Sequence, residues 1–190
     1  MKKFLIVLIS LLPLFTFGQD KAMAISEYTE LIRNNPYESI NYVWRGKLYE
    51  SIGQYEEAIA DYNQAIRVKD DNDWYPNYIR GLYFITIANY EAALLDFNTS
   101  IRIQPNNHIE SQFPRFFKRA MCYFVLDKLN EAIDDCNTSI AGGNEYTNKK
   151  TYALRGVAKK NKGLYFCRDF NRSCELGYQD ACDMYYEDCK

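Results

Sequence analysis

The feature that most constrains this chain is a six-residue phrase that keeps returning. Asp61-Tyr62-Asn63-Gln64-Ala65-Ile66 recurs as Asp96-Phe97-Asn98-Thr99-Ser100-Ile101 and Asp135-Cys136-Asn137-Thr138-Ser139-Ile140, and more loosely as Asp169-Phe170-Asn171-Arg172-Ser173-Cys174. Upstream of each stands an arginine followed by a small residue: Arg45-Gly46, Arg80-Gly81, Arg119-Ala120 and Arg155-Gly156. The small residues are 35, 39 and 36 positions apart, the period of a stacked array rather than of a globular domain with one unrepeated core. Between the landmarks, segments such as Tyr55-Glu56-Glu57-Ala58-Ile59 and Tyr90-Glu91-Ala92-Ala93-Leu94 place apolar residues at helical spacing. Each unit therefore reads as two antiparallel helices joined by a short turn, with Gly53 marking the first turn and Gly163 the last.

This pattern resembles the tetratricopeptide repeat. The family places a small residue in the first helix (Gly46, Gly81, Ala120, Gly156), an aromatic one turn later (Tyr49, Phe84, Tyr123) and an alanine in the second helix (Ala58, Ala93, Ala132). A further aromatic follows (Tyr62, Phe97, Phe170), and Pro105 takes the place of the closing proline. Cys136 departs from the pattern, and the fourth unit is two residues short before Asp169. The resemblance implies an all-α, right-handed superhelical solenoid of about four hairpins with an extra helix at each end. The expected boundaries are a lone helix over 20–35, repeats over about 39–70, 74–105, 113–144 and 149–176, and a capping helix over about 178–189.

The arginine and aspartate landmarks are 16 residues apart in three units and 14 in the fourth. Across an antiparallel hairpin such residues meet, and a guanidinium matches a carboxylate in shape and charge. Arg45 with Asp61, Arg80 with Asp96, Arg119 with Asp135 and Arg155 with Asp169 are thus expected as structural ion pairs. Recurrence in every unit argues for scaffold, because a catalytic site is local.

Cys167, Cys174, Cys182 and Cys189 are spaced 7, 8 and 7 apart, which keeps each pair on one helix face. With Gly177 at the bend, antiparallel helices bring Cys174 to Cys182 near the turn and Cys167 to Cys189 at the far end, two disulfides closing the last helix. The stretch from Cys174 to Cys182 also resembles the bridged pair of Sel-like repeats. Four thiolates spread over two helical turns do not converge on a tetrahedral ion, so no metal is expected. Cys122 and Cys136, on the two helices of the third unit, either bridge or remain buried thiols.

The N-terminus carries Lys2 and Lys3, an apolar run from Phe4 to Leu14, and small residues before Gln19. It reads as an export signal, residues 1–18, cleaved near Gly18/Gln19 and delivering the chain to the periplasm or the medium. The run is too short to span a bilayer. The charge is formally −2, against the basic face that nucleic acid requires. His108 is the single histidine, and no nucleophile elbow, zinc helix or phosphate loop occurs. No cofactor is expected, and no catalysis.

What the resemblance implies instead is a groove lined by first helices, holding a partner peptide or helix. Counting from the landmark small residue, its lining is expected at Val43, Lys47 and Glu50, at Tyr78, Leu82 and Ile85, at Phe117, Met121 and Phe124, and at Ala153, Val157 and Lys160. The competing expectation for these apolar residues is packing between neighbouring first helices. The functional expectation is a scaffold or adaptor of the bacterial envelope. Its alternatives are a subunit that fills the groove with a copy of itself and, less in keeping with the residues, a Sel-like envelope hydrolase.

Overall fold

The computed structural model describes residues 20–103, 113–143 and 145–190. The signal segment and most of the linker carrying Pro105 and His108 lie outside the described residues. Contacts divide the chain into two units, Met1–Asp70 and Asp71–Lys190, and among the described residues all regular structure is helical.

In the first unit, α1 spans 20–34, followed by α2 (Ser39–Ser51) and α3 (Tyr55–Val68). Helices α2 and α3 form the hairpin. A Cβ on Gly46 would lie 2.7 Å from the ring of Tyr62, so glycine is what lets the ring sit against the α2 backbone. Helix α1 lies beside the hairpin, with Lys21 Nζ donating to the Ser51 carbonyl at 3.0 Å.

The second unit holds α4 (Tyr75–Thr86), α5 (Tyr90–Arg102), α6 (Phe113–Val125), α7 (Leu129–Gly142), α8 (Glu145–Asn161), α9 (Cys167–Glu175) and α10 (Gln179–Cys189). They form three hairpins and a closing helix. Gly81 under Phe97 and Gly156 under Phe170 repeat the close approach seen at Gly46. Both rings are fully buried, and burial of such a ring stabilises by about 1.5–3 kcal/mol. The middle hairpin solves the same space differently. Ala120 and Cys136, both fully buried, stand where the others have glycine and an aromatic ring, so a larger residue on one helix is matched by a smaller one on the other. That volume exchange accounts for the cysteine that breaks the sequence pattern. Helix α8 starts at Glu145, before the expected 149, because no proline or glycine between those positions stops the helix.

Five helices end in the same way. The residue past the end has positive φ, +80° at Gly53 and Gly177, +68° at Gly163, and 57° at Ala88 and Asp127. The next amide then reaches back five residues, as in Gln54 N to Tyr49 O at 2.9 Å and Asn89 N to Phe84 O at 2.8 Å, so the last carbonyls are satisfied. Glycine takes this conformation without strain, whereas a Cβ meets the following carbonyl. Ala88→Gly should therefore stabilise the protein by about 1 kcal/mol in urea unfolding. Asp127→Gly should gain less, because aspartate tolerates the left-handed region better than alanine.

Candidate functional site

The four arginines are held alike. Arg45 Nε and Nη2 meet the two oxygens of Asp61 at 2.8 and 2.7 Å, and Arg80 reaches Asp96 at 2.8 Å through both nitrogens. Arg119 meets Asp135 at 2.7 Å twice, and Arg155 meets Asp169 at 3.1 and 2.5 Å. The four aspartates are buried, and forked pairing is what makes such burial tolerable. Burial pushes the Asp135 carboxyl above its ordinary range, against the pull of Arg119. Burial alone would lower Arg119, but its hydrogen bond to Asp135 keeps it above its usual value.

Three of the four, Arg45, Arg119 and Arg155, also use the remaining arm. Arg119 Nη1 donates to Asn98 Oδ1 of the preceding hairpin at 2.7 Å, and Arg155 Nη1 to Asn137 Oδ1 at 2.7 Å. In the first unit Arg45 Nη1 reaches Thr29 Oγ1 on α1 at 3.2 Å. The asparagine was in plain view, two places after every landmark aspartate.

Cys167 is joined to Cys189 and Cys174 to Cys182, fastening α10 to α9. Cys122 and Cys136 are unbridged and buried. Burial pushes both thiols up to about 12, so they stay protonated and unreactive near neutral pH.

The twelve residues expected to line the groove fall into three settings. Val43 is fully buried and Ala153 nearly so; both belong to the packing, whereas Tyr78 and Phe117 at the same register stay half-buried. Tyr78, Leu82 and Ile85 are half-buried against the cluster of Ala93, Leu94, Phe97 and Cys122. Glu50 accepts from the Tyr62 hydroxyl at 2.7 Å. Phe117, Met121, Phe124 and Val157 are half-buried, and Lys47 and Lys160 are exposed.

The second unit contains a cleft that joins some of these residues to others the sequence did not single out. Phe113, Pro114 and Phe117 from α6 form one wall, Lys149, Lys150 and Thr151 from α8 the other, and Ser139 from α7 the floor, around about 390 Å³. Two first helices thus face each other across a mainly apolar space with lysines on the rim. Gly142 makes room for one of the walls: a Cβ there would lie 1.6 Å from the ring of Phe113. Next to Phe117, burial and the nearby Lys150 lower Lys118 below its ordinary value.

One buried cation had no sequence signal at all. Arg115 is fully buried beside the face of Trp74, 4.1 Å from the ring centroid, and donates to the carbonyl of Ser100. Burial lowers it to about 10.

A family model described as tetratricopeptide repeat matches residues 41–72, the span of the α2–α3 hairpin. Among solved structures, MamA superposes with a TM-score of 0.71 at 21% identity, covering 87% of this chain and 94% of that one. The fold is that of the tetratricopeptide repeats. YrrB, described as a TPR protein with an unusual peptide-binding site, shares this tetratricopeptide architecture with a TM-score of 0.68 at 20% identity, over 81% of this chain and 77% of its own. PilF of Pseudomonas aeruginosa does so with 0.68 at 11% identity, over 94% and 73%. No curated protein matches the chain significantly. A tetratricopeptide fold of this kind suggests protein partners, and no described helix is long and apolar enough to cross a membrane.

Proposed function

We propose that this protein is a non-catalytic interaction scaffold of the bacterial envelope that holds a partner peptide or helix against its first helices. The observation that carries this reading is the apolar cleft between α6 and α8, walled by Phe113 and Phe117 and rimmed by Lys149 and Lys150. An extended or helical segment with an apolar side chain and a nearby carboxylate suits such a space. Met121 and Phe124 continue from the same helix, Leu82 and Ile85 from α4, and Val157 and Lys160 from α8. The two disulfides on α10 are consistent with an oxidising compartment outside the cytoplasm.

The test is crosslinked capture from an envelope preparation with the mature chain, beside a Phe117→Ser, Met121→Ser variant whose helicity is verified. Tyr78 is left unchanged, because it packs on Phe97 with ring centroids 5.9 Å apart and its loss would disturb the core. The expected result is one partner retained by the parent and depleted about tenfold or more by the variant, as removal of central apolar anchors does. Equal capture by both proteins would sink the cleft assignment. Capture of the chain's own copies alone, with a mass that rises with concentration, would establish the self-associating alternative.

A further inference from the structure

Charge in this chain is unevenly placed. Between residues 145 and 175 there are eight lysines and arginines against three carboxylates, within a chain that carries 23 basic and 25 acidic side chains in all. The last hairpin is therefore a basic island on an acidic protein. Part of that excess surrounds a second cleft of about 610 Å³ between α8 and α9, whose lining includes Lys159, Tyr165, Arg168, Asp169, Arg172 and Glu175.

The carboxylates of this cleft are already engaged. Asp169 accepts from both Arg155 nitrogens and from Lys159 Nζ at 2.7 Å. Glu175 accepts from Arg172 Nη1 at 3.0 Å and from Asn171 Nδ2 at 2.8 Å. Arg168, exposed on the cleft wall, has no hydrogen bond or ion pair among the described residues. Lys159 commits only one shown donor to Asp169, and Tyr165 presents a ring that is 76% exposed. The cleft thus holds cationic donors in excess of its own acceptors, an open aromatic face, and room for a few side chains.

We propose that this cleft is a second recognition site, separate from the α6–α8 cleft, that takes an acidic peptide segment of a protein partner. Its carboxylates pair with Arg168 and the open side of Lys159, and its backbone lies across Tyr165. Guanidinium and ammonium groups in a partly enclosed space select carboxylates and speed encounter with an acidic chain. A nucleic acid fits less well. The cleft accommodates side chains rather than a strand, and the acidic balance of the rest of the chain repels a phosphate backbone that extends beyond it.

The probe is a short labelled peptide of alternating Glu and Ser, beside a copy with Gln in place of Glu, followed by fluorescence anisotropy at low and moderate salt. The parent should bind the Glu peptide, more weakly as salt rises, and leave the Gln peptide free. Arg168→Glu with Arg172→Glu should weaken binding by about tenfold or more, since a like charge now faces the ligand. The Phe117→Ser, Met121→Ser variant should bind as the parent does, which separates failure of this site from failure of the first. If the double reversal does not fold, Arg168→Gln alone decides, with an expected loss of about threefold for one exposed pair. Equal binding of both peptides, binding indifferent to these variants, or displacement by an oligonucleotide that binds more tightly would each overturn the assignment.

Discussion

Asp96→Ala should cost about 3 kcal/mol in urea unfolding, while Glu91→Ala on the exposed face of the same helix should cost no more than about 0.5 kcal/mol. The difference is one of environment. Asp96 is 2% exposed and accepts from both arms of Arg80 and from Asn77 Nδ2 at 3.1 Å. Alanine removes the acceptor and leaves a guanidinium and a buried amide facing a void. Removing one member of a buried pair costs about 3–5 kcal/mol, and the lower end applies because the Arg80 side chain keeps some access to water. Asp96→Asn should lose less, since the amide oxygen still accepts one donor. A midpoint for Asp96→Ala matching that of Glu91→Ala would show that the arginine ladder contributes nothing to stability.

Breaking the bridges of the last helix should be nearly as severe, but local. By loop-closure entropy, Cys189→Ser should destabilise the docking of α10 by about 3 kcal/mol and Cys182→Ser by about 2.5 kcal/mol, following separations of 22 and 8 residues. A terminal helix has a neighbour on one side only, so its docking has little else to rely on. The remaining ties include Lys160 to Asp188 at 2.5 Å and the buried Ala181. Chymotrypsin at Tyr185 and Tyr186 is the measurement. Cleavage should be slow in the oxidised protein and fast after reduction, while the helicity of α4 to α9 persists. Equal cleavage in both states would mean that packing alone holds α10.

Much of this architecture was legible because repetition turns single residues into a statistic. An arginine and an aspartate 16 apart prove little once, but three times over they specify an antiparallel hairpin and its register. The cysteines were legible for a related reason, since spacings of seven leave few ways to pair across a bend. What escaped the sequence was what does not repeat. Arg115 looks like any cation in the first turn of a helix, and only the placement of Trp74 and the α5 carbonyls encloses it. Val43 and Ala153 were expected at a surface and are interior. A small rotation about the helix axis separates those settings, and one chain carries no record of it. The α6–α8 cleft depends on Gly142 accommodating the ring of Phe113, a contact between residues 29 positions apart with no periodic counterpart.

The third arm of Arg119 and of Arg155 has a consequence for how the second unit comes apart. Arg119 ties α6 to α7 through Asp135 and to α5 through Asn98, and Arg155 ties α8 to α9 through Asp169 and to α7 through Asn137. In a linear array, intrinsic stability and nearest-neighbour coupling are separate quantities, and their ratio decides whether units melt singly or as a block. Here one side chain contributes to both at once. A hairpin that opens releases its own carboxylate and its grip on the hairpin before it, so the array is biased toward concerted rather than piecemeal opening.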